Sequence, residues 1–191
     1  MKKENRCTNG MDAKGSILNV IEIHQDQLYS GDTDKTEFAE VNSFVTIRII
    51  DDEIRLIPYY RNDDVSLAWY QDLDICKQVD NRDKPYDTEL LHGMYDYLCN
   101  HGECYYIEYK GVLVGDVSLR DNAEIAVVIC KAYQNLHIGR RCVCEMIKLA
   151  GEKNMDAVTA NIYSFNTQSQ KMFEAIGFYK TDSEWYRFDL R

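Results

Sequence analysis

The stretch AEIAVVICKAYQNLHIGRRCVCEMI, residues 123–147, is the one from which the fold is read. Apart from Glu124, Ala123 to Cys130 is apolar at successive positions, the pattern of a central strand covered by helices on both faces. Gln134-Asn135-Leu136-His137-Ile138-Gly139 then carries the chain into a helix that starts near Gly139. Within that helix Val143, Met146, Ile147 and Ala150 form an apolar stripe, while Arg141, Glu145, Lys148 and Glu152 fall on the side expected to face water. A strand, a tight turn and a helix start together present unpaired backbone N–H groups at the positive end of the helix dipole. That arrangement suits a pyrophosphate, and Arg140 and Arg141 in the first turn add cationic contacts. A plain cap and crossover has the same outline, so this segment needs a second one beside it.

The second is NIYSFNTQSQKMFEAIGF, residues 161–178. Asn166, Ser169 and Phe173 recur at i, i+3 and i+7, which puts an amide, a hydroxyl and a ring on one helix face. Asn166 is equally a natural N-cap, and Gly177 is an ordinary helix stop. Outward from these two segments, β-rich runs are expected at Phe44 to Ile50 and Ile54 to Tyr60, with Pro58 marking an edge or strand end. Val65, Trp69, Leu73 and Cys76 predict one helical stretch, and Leu91, Met94 and Leu98 a second one capped by Asp87 or Thr88 and closed by Gly102. Strands follow at Cys104 to Tyr109, Val112 to Leu119 and Ala123 to Cys130. Another lies at Ala157 to Tyr163, a short helix at Thr167 to Ile176, and two closing strands between Phe178 and Leu190. The order β-β-α-α-β-β-β-α-β-α-β-β is a mixed α/β fold rather than a doubly wound one, because helices and strands do not alternate throughout. Residues 1–40 are expected to be an extension with one strand within Ile17 to Ile23, and residues 41–191 a single domain.

In this order and spacing the two segments resemble the GNAT superfamily of N-acetyltransferases, whose members carry [QR]-x-x-G-x-[GA] at a helix start followed by N-x-x-[AS]-x-x-x-[YF]-x-x-x-G-F. Gln134, Gly139, Asn166, Ser169, Phe173, Gly177 and Phe178 fit. The resemblance spans roughly residues 44–190 and implies the acyl-CoA N-acyltransferase fold, a central, mostly antiparallel sheet flanked by helices. It also implies acetyl-CoA as cosubstrate and direct transfer to an amine; no metal is expected, because Cys142 and Cys144 diverge on a helix and no CxxC or HxxxH pair exists. The pyrophosphate would rest on N–H groups of Leu136, His137, Ile138, Gly139, Arg140 and Arg141, with Gln134 and Phe173 beside it. Parting of the strands at 123–130 and 157–163 would free backbone groups near Val128 and Ile129 for the pantetheine arm, which Asn166 would also bond.

Two departures stand out. His137 occupies the place of a family glycine, and an imidazole tolerates the left-handed backbone better than a β-branched side chain does. Phe173 stands where many relatives have a tyrosine that protonates the departing thiolate, which phenylalanine cannot do. The pattern is closer to the branch of ribosomal-protein N-terminal acetyltransferases. Ser169 becomes the first candidate acid and Tyr163 the second. Glu124 is the candidate base, where many relatives carry a carboxylate, and it reads equally as a surface charge at a strand end. Acceptor contacts are expected from Trp69, Tyr70, Asp72 and Tyr86, although a tryptophan centred on an apolar stripe is as readily core.

The 191 residues carry 32 acids against 22 Lys and Arg, a formal charge of −10. Such a balance disfavours nucleic acid and anionic lipid as partners. Residues 51–90 hold six of the ten surplus negative charges, which suggests a carboxylate-rich mouth for a small cationic amine. A peptide or protein α-amine, or acyl-CoA binding without turnover, are the alternatives. Seven cysteines, odd in number and mostly within apolar runs, fit reduced thiols in a cytoplasmic protein, and no run is long enough for a membrane span. The N-terminal extension could form a homodimer contact or cover the cleft; both readings stand.

Overall fold

The computed structural model describes residues 46–191 and, in addition, the backbone of two strands, β1 (Cys7–Met11) and β2 (Ile17–Ile21). These two pair antiparallel with Asn9 opposite Asn19. The expected strand within Ile17 to Ile23 is therefore present over Ile17–Ile21. The remainder of the extension lies outside the described residues, as do Phe44 and Val45 of the next expected run.

The main body opens with β3 (Arg48–Ile49) and β4 (Ile54–Pro58). Asp51 makes the turn between them, its Oδ1 accepting from the N–H groups of Glu53 and Ile54 at 2.9 Å each. Pro58 ends β4, where the missing N–H breaks no ladder bond. Helices α1 (Asp63–Tyr70), α2 (Leu73–Asp80) and α3 (Thr88–Asn100) follow. The single helical stretch expected through Val65 and Cys76 is in fact two helices. Asp72 breaks it: its side chain accepts from the N–H groups of Asp74 and Ile75 and starts α2 afresh, a local bond that competes with continuing the first helix. Leu73, expected on the apolar stripe, is consequently exposed. Asp87 caps α3 through Leu90 N–H at 2.8 Å.

Strands β5 (Gly102–Tyr109), β6 (Val112–Arg120) and β7 (Ile125–Ile129) form an antiparallel meander on β4, giving the order β3-β4-β5-β6-β7. The pairing of β5 with β6 shifts register between Ile107 and Glu108, leaving Val114 as an extra residue in β6. Beside this bulge sits Gly115. A Cβ there would lie 1.9 Å from the Val128 carbonyl oxygen, so only glycine lets β6 and β7 approach.

After β7 come a 3-10 turn (Lys131–Tyr133), helix α4 (Ile138–Glu152), β8 (Ala157–Asn161), α5 (Thr167–Ile176), β9 (Tyr179–Lys180) and β10 (Trp185–Asp189). Strand β7 was expected to be central, but it is the edge of its sheet, because β8 belongs to a separate sheet ordered β8-β10-β9. Its apolar character comes from packing above and below. One core joins Leu56, Ile107, Val117 and Ile125 to Val143 and Met146 of α4 and to Phe173 and Phe178. The other face carries Trp69, Tyr70, Tyr86, Leu91, Tyr95, Tyr106 and Val128 under α1–α3. Glu145, expected in water, is 7% exposed and paired with Lys148 one turn on at 3.0 Å. Among the described residues no helix is long and apolar enough to cross a membrane.

Candidate acyl-CoA and acceptor site

The two sheets touch along β7 and β8 at a single parallel bridge, Glu124 with Thr159, where Thr159 N–H donates to the Ala123 carbonyl at 2.9 Å. Beyond that point the strands part. Arg120 N–H donates to Glu124 O and Cys130 N–H to Val114 O, so the even-numbered residues of β7 turn their peptide groups to β6. Alternation then aims those of Val127 and Ile129 into the gap. This corrects the expectation for Val128, whose carbonyl abuts Gly115. It also divides the role expected of Ile129: its carbonyl accepts from Gln134 Nε2 at 3.0 Å, and its N–H faces the opening.

The gap is the floor of a cleft of about 550 Å³ lined by β7, β8, the 134–140 turn and the inner face of α5. Gln134, His137, Ile138, Gly139, Arg140, Asn166, Ser169 and Phe173 all line it, together with Val128 and Ile129. Asn135 and His137 hold the turn in the left-handed region at φ 64° and 59°, as the sequence allowed for His137. His137 makes no side-chain cap, so the first N–H groups of α4 are left for an anion. Gly139 is buried against Met172, whose Sδ would be 3.3 Å from an added Cβ. Leu136 can contribute only its backbone, since its side chain is exposed and outside the lining.

Arg140 lines the cleft and donates to the Ala175 carbonyl at 3.2 Å. Arg141 does not join it. Its guanidinium reaches Asp51 at 3.0 Å and Glu53 at 2.9 Å in the β3–β4 turn, because adjacent residues on a helix diverge by about 100°. It is a structural tie rather than a phosphate contact. Burial raises the Asp51 carboxyl, but the Glu53 and Ile54 N–H groups and then Arg141 hold it below its usual range; Lys110 and then Arg141 lower that of Glu53.

On α5, Asn166 is buried and caps the helix, its Oδ1 accepting from Ser169 N–H at 3.2 Å. That use of Oδ1 leaves the Nδ2 donors for a ligand. Ser169 is half-buried on the cleft wall. Phe173 is 3% exposed and packs edge-on against Phe178 at 4.9 Å. Tyr163 stacks on Phe165 at 5.4 Å outside the lining. Its phenol is raised by burial and then by the Asp80 and Glu184 carboxylates.

Glu124 is likewise not brought to the cleft. It sits at the closed end of the parted strands, 9% exposed and ion-paired with Arg120. Trp69, Tyr70 and Tyr86 are buried in the aromatic core instead of facing an acceptor: Trp69 meets Tyr106 edge-on at 5.7 Å and Tyr70 meets Tyr86 at 4.9 Å. Asp72 spends its carboxylate on the α2 cap, with Lys131 Nζ 3.8 Å away.

Sequence reasoning missed the α2 side of the cleft. Ile75, Gln78 and Val79 of α2 line the cleft, and a second groove of about 330 Å³ continues from it between α2 and the start of α5, bordered by Asp74, Lys77, Lys131, Phe165 and Thr167. Gln168, Lys171, Met172 and Ala175 were also missed on α5. Extending the Asn166-Ser169-Phe173 face by one adjacent stripe of the helix would have found them.

The sequence profile of the Acetyltransferase (GNAT) family matches residues 66–178. No curated protein sequence matches the chain. Among solved structures, a domain from Methanocaldococcus jannaschii superposes with a TM-score of 0.64 at 26% identity, covering 73% of this chain and 100% of that one. The acetyltransferase of Salmonella typhimurium that modifies the N-terminal serine of ribosomal protein L7/L12 gives 0.59 at 10% identity, covering 76% and 99%. The yncA protein of the same organism, solved with its cofactor acetyl-CoA, gives 0.55 at 16% identity, covering 73% and 95%.

Proposed function

This chain belongs to the GNAT acetyltransferase family and is an acetyl-CoA-dependent N-acyltransferase, and from that premise we propose that its acceptor is the primary amine of a small cationic molecule. The observation that carries the proposal is the continuity of the cleft over parted β7 and β8 with the groove between α2 and α5. One space accommodates the donor along the strand edge and the other the amine.

The residues present fit acetyl-CoA: a helix N-terminus and Arg140 at the phosphate end, Asn166 Nδ2 along the arm, and strand N–H groups at Val127 and Ile129 where the acyl group would lie. When bound, acetyl-CoA supplies an activated acetyl carbonyl. The Val127 and Ile129 N–H groups would stabilise negative charge developing on that oxygen. Ser169, a hydroxyl on the cleft wall, would protonate the leaving sulfur. Among the described residues no carboxylate lines the main cleft, and Asp74 in the adjoining groove is held by Lys131. The ammonium proton therefore leaves through water in the groove before attack.

Incubation with acetyl-CoA and a panel of polyamines, aminoglycosides, amino acids and short peptides, followed by thiol release, tests the proposal. Small amines should give turnover and peptides little. Preference for a peptide α-amine would replace the small-molecule reading, and thiol release with no amine would sink it. KM for a dicationic acceptor should rise severalfold between low and physiological salt as the field is screened; a flat KM removes the cationic class alone. Ser169→Ala should lower kcat by about 10- to 100-fold with KM for acetyl-CoA little changed. An alanine variant with native turnover would take the serine out of the proton path.

A further inference from the structure

Outside the cleft, the last turn of α3 and the start of β5 bring two thiols together. Tyr95 of α3 meets Tyr106 of β5 with ring centroids 6.0 Å apart. From that contact, four residues along the helix advance about 6 Å, and two residues back along the strand cover about 6.6 Å on the same face. The next rung is therefore Cys99 opposite Cys104, the two residues lying on either side of the one-residue connection at His101. Tyr59 fixes the strand side, its N–H donating to the Cys104 carbonyl at 2.9 Å while its ring stacks on Tyr95 at 4.2 Å.

The two sulfurs differ in character. Cys99 is exposed and Cys104 is buried. The Cys104 thiol beside it lowers the Cys99 pKa against the opposing effects of burial and the Asp96 and Glu103 carboxylates, while Cys99 and then burial raise that of Cys104. An accessible sulfur with added thiolate character beside a sheltered protonated partner is the division found between an attacking and a resolving cysteine.

We infer that Cys99 and Cys104 form a redox pair that closes to a disulfide between α3 and β5. With a peroxide as oxidant, the Cys99 thiolate attacks one oxygen and the O–O bond breaks. The departing hydroxide takes a proton as water, leaving a sulfenic acid on Cys99. The Cys104 sulfur then attacks the Cys99 sulfur, the S–O bond breaks, and the hydroxyl leaves as water with the Cys104 proton. Two thiols surrender two electrons and two hydrogens, and one peroxide becomes two waters. A thiol reductant reverses the bond by exchange.

The test is mass spectrometry of the full chain treated with hydrogen peroxide, blocked with an alkylating agent under denaturing conditions, and digested. Cleavage after Glu103 separates the two cysteines in sequence. The native protein should lose two alkylatable thiols, and the fragments on either side of Glu103 should stay joined until dithiothreitol parts them. Cys99→Ser, a change at an exposed position, should abolish the linked fragments, and the native result stands without any variant of buried Cys104. Accumulation of sulfenic or sulfinic acid on Cys99 with Cys104 still alkylatable would overturn the proposal, as would fragments that separate without reductant.

Discussion

Replacing Gly115 with alanine should cost this protein a third or more of its stability and abolish acetyl transfer. The new Cβ would sit 1.9 Å from the Val128 carbonyl oxygen and 3.1 Å from the Ile129 Cα. Both are backbone atoms, so no rotamer change relieves the overlap. Strand β7 would have to move off β6 by more than an ångström, opening the Cys130 N–H to Val114 bond of 2.8 Å. Overpacking costs about 1–3 kcal/mol and each lost buried hydrogen bond about 1 kcal/mol or more, against a total of about 5–15 kcal/mol for a domain. The moved strand is also the edge whose Val127 and Ile129 N–H groups face the cleft, so activity should fall by more than 100-fold even in the fraction that stays folded. Urea denaturation and thiol-release assays on the same preparation check both parts. A variant with the native midpoint would show that β6 and β7 do not pack as described.

The second large effect concerns Asp116. It lies 5% exposed between α1–α3 and the sheet, and its Oδ2 accepts from the hydroxyls of Tyr70 at 2.9 Å and Tyr95 at 2.8 Å. Burial pushes its carboxyl up to about 6, partly countered by the two phenols. A carboxyl whose folded value is raised binds its proton more tightly in the folded chain. Its stabilising contribution is complete below about pH 4 and is lost as pH climbs through about 6. A shift of about two units corresponds to roughly 3 kcal/mol. The difference in unfolding free energy between the native chain and Asp116→Asn should therefore change by about that amount between pH 4 and 7, with the asparagine variant more stable at pH 7. Taking the difference cancels other carboxyls such as Asp51 and Asp189, whose lowered values act in the opposite sense. Asp116→Ala should instead be destabilised by a few kcal/mol at every pH, because two buried phenols lose their acceptor. A pH-independent difference for the asparagine variant would mean that the carboxyl is ordinary.

Local patterns in the sequence carried much of this structure. Helix α5 runs from Thr167 to Ile176 as its Asn166 cap and Gly177 stop dictate, and the turn at 134–139 arrives at a helix start. What failed depended on partners distant in sequence. Arg141 was grouped with Arg140 because they are neighbours, yet its carboxylates come from Asp51 and Glu53 about 90 residues earlier. Glu124 matched a functional position by place in the strand, but the bridge to Thr159 and the pair with Arg120 close that end. Trp69, Tyr70 and Tyr86 read as acceptor contacts because aromatics suit both pockets and cores, and only packing tells them apart. The acidic surplus of residues 51–90 is likewise spread out: Asp51 and Glu53 hold Arg141, Asp63 meets His92, and Asp83 meets Lys77. Asp74 is the carboxylate of that segment that borders the groove between α2 and α5.

The turn ahead of α4 reaches its left-handed positions with Asn135 and His137 rather than with glycines. A glycine at either place would have many more conformations to surrender when the loop closes around a phosphate. Side chains at both narrow that choice while the chain is still unfolded, so less of the binding energy is spent on ordering the loop. The cradle is in this sense rigid by composition.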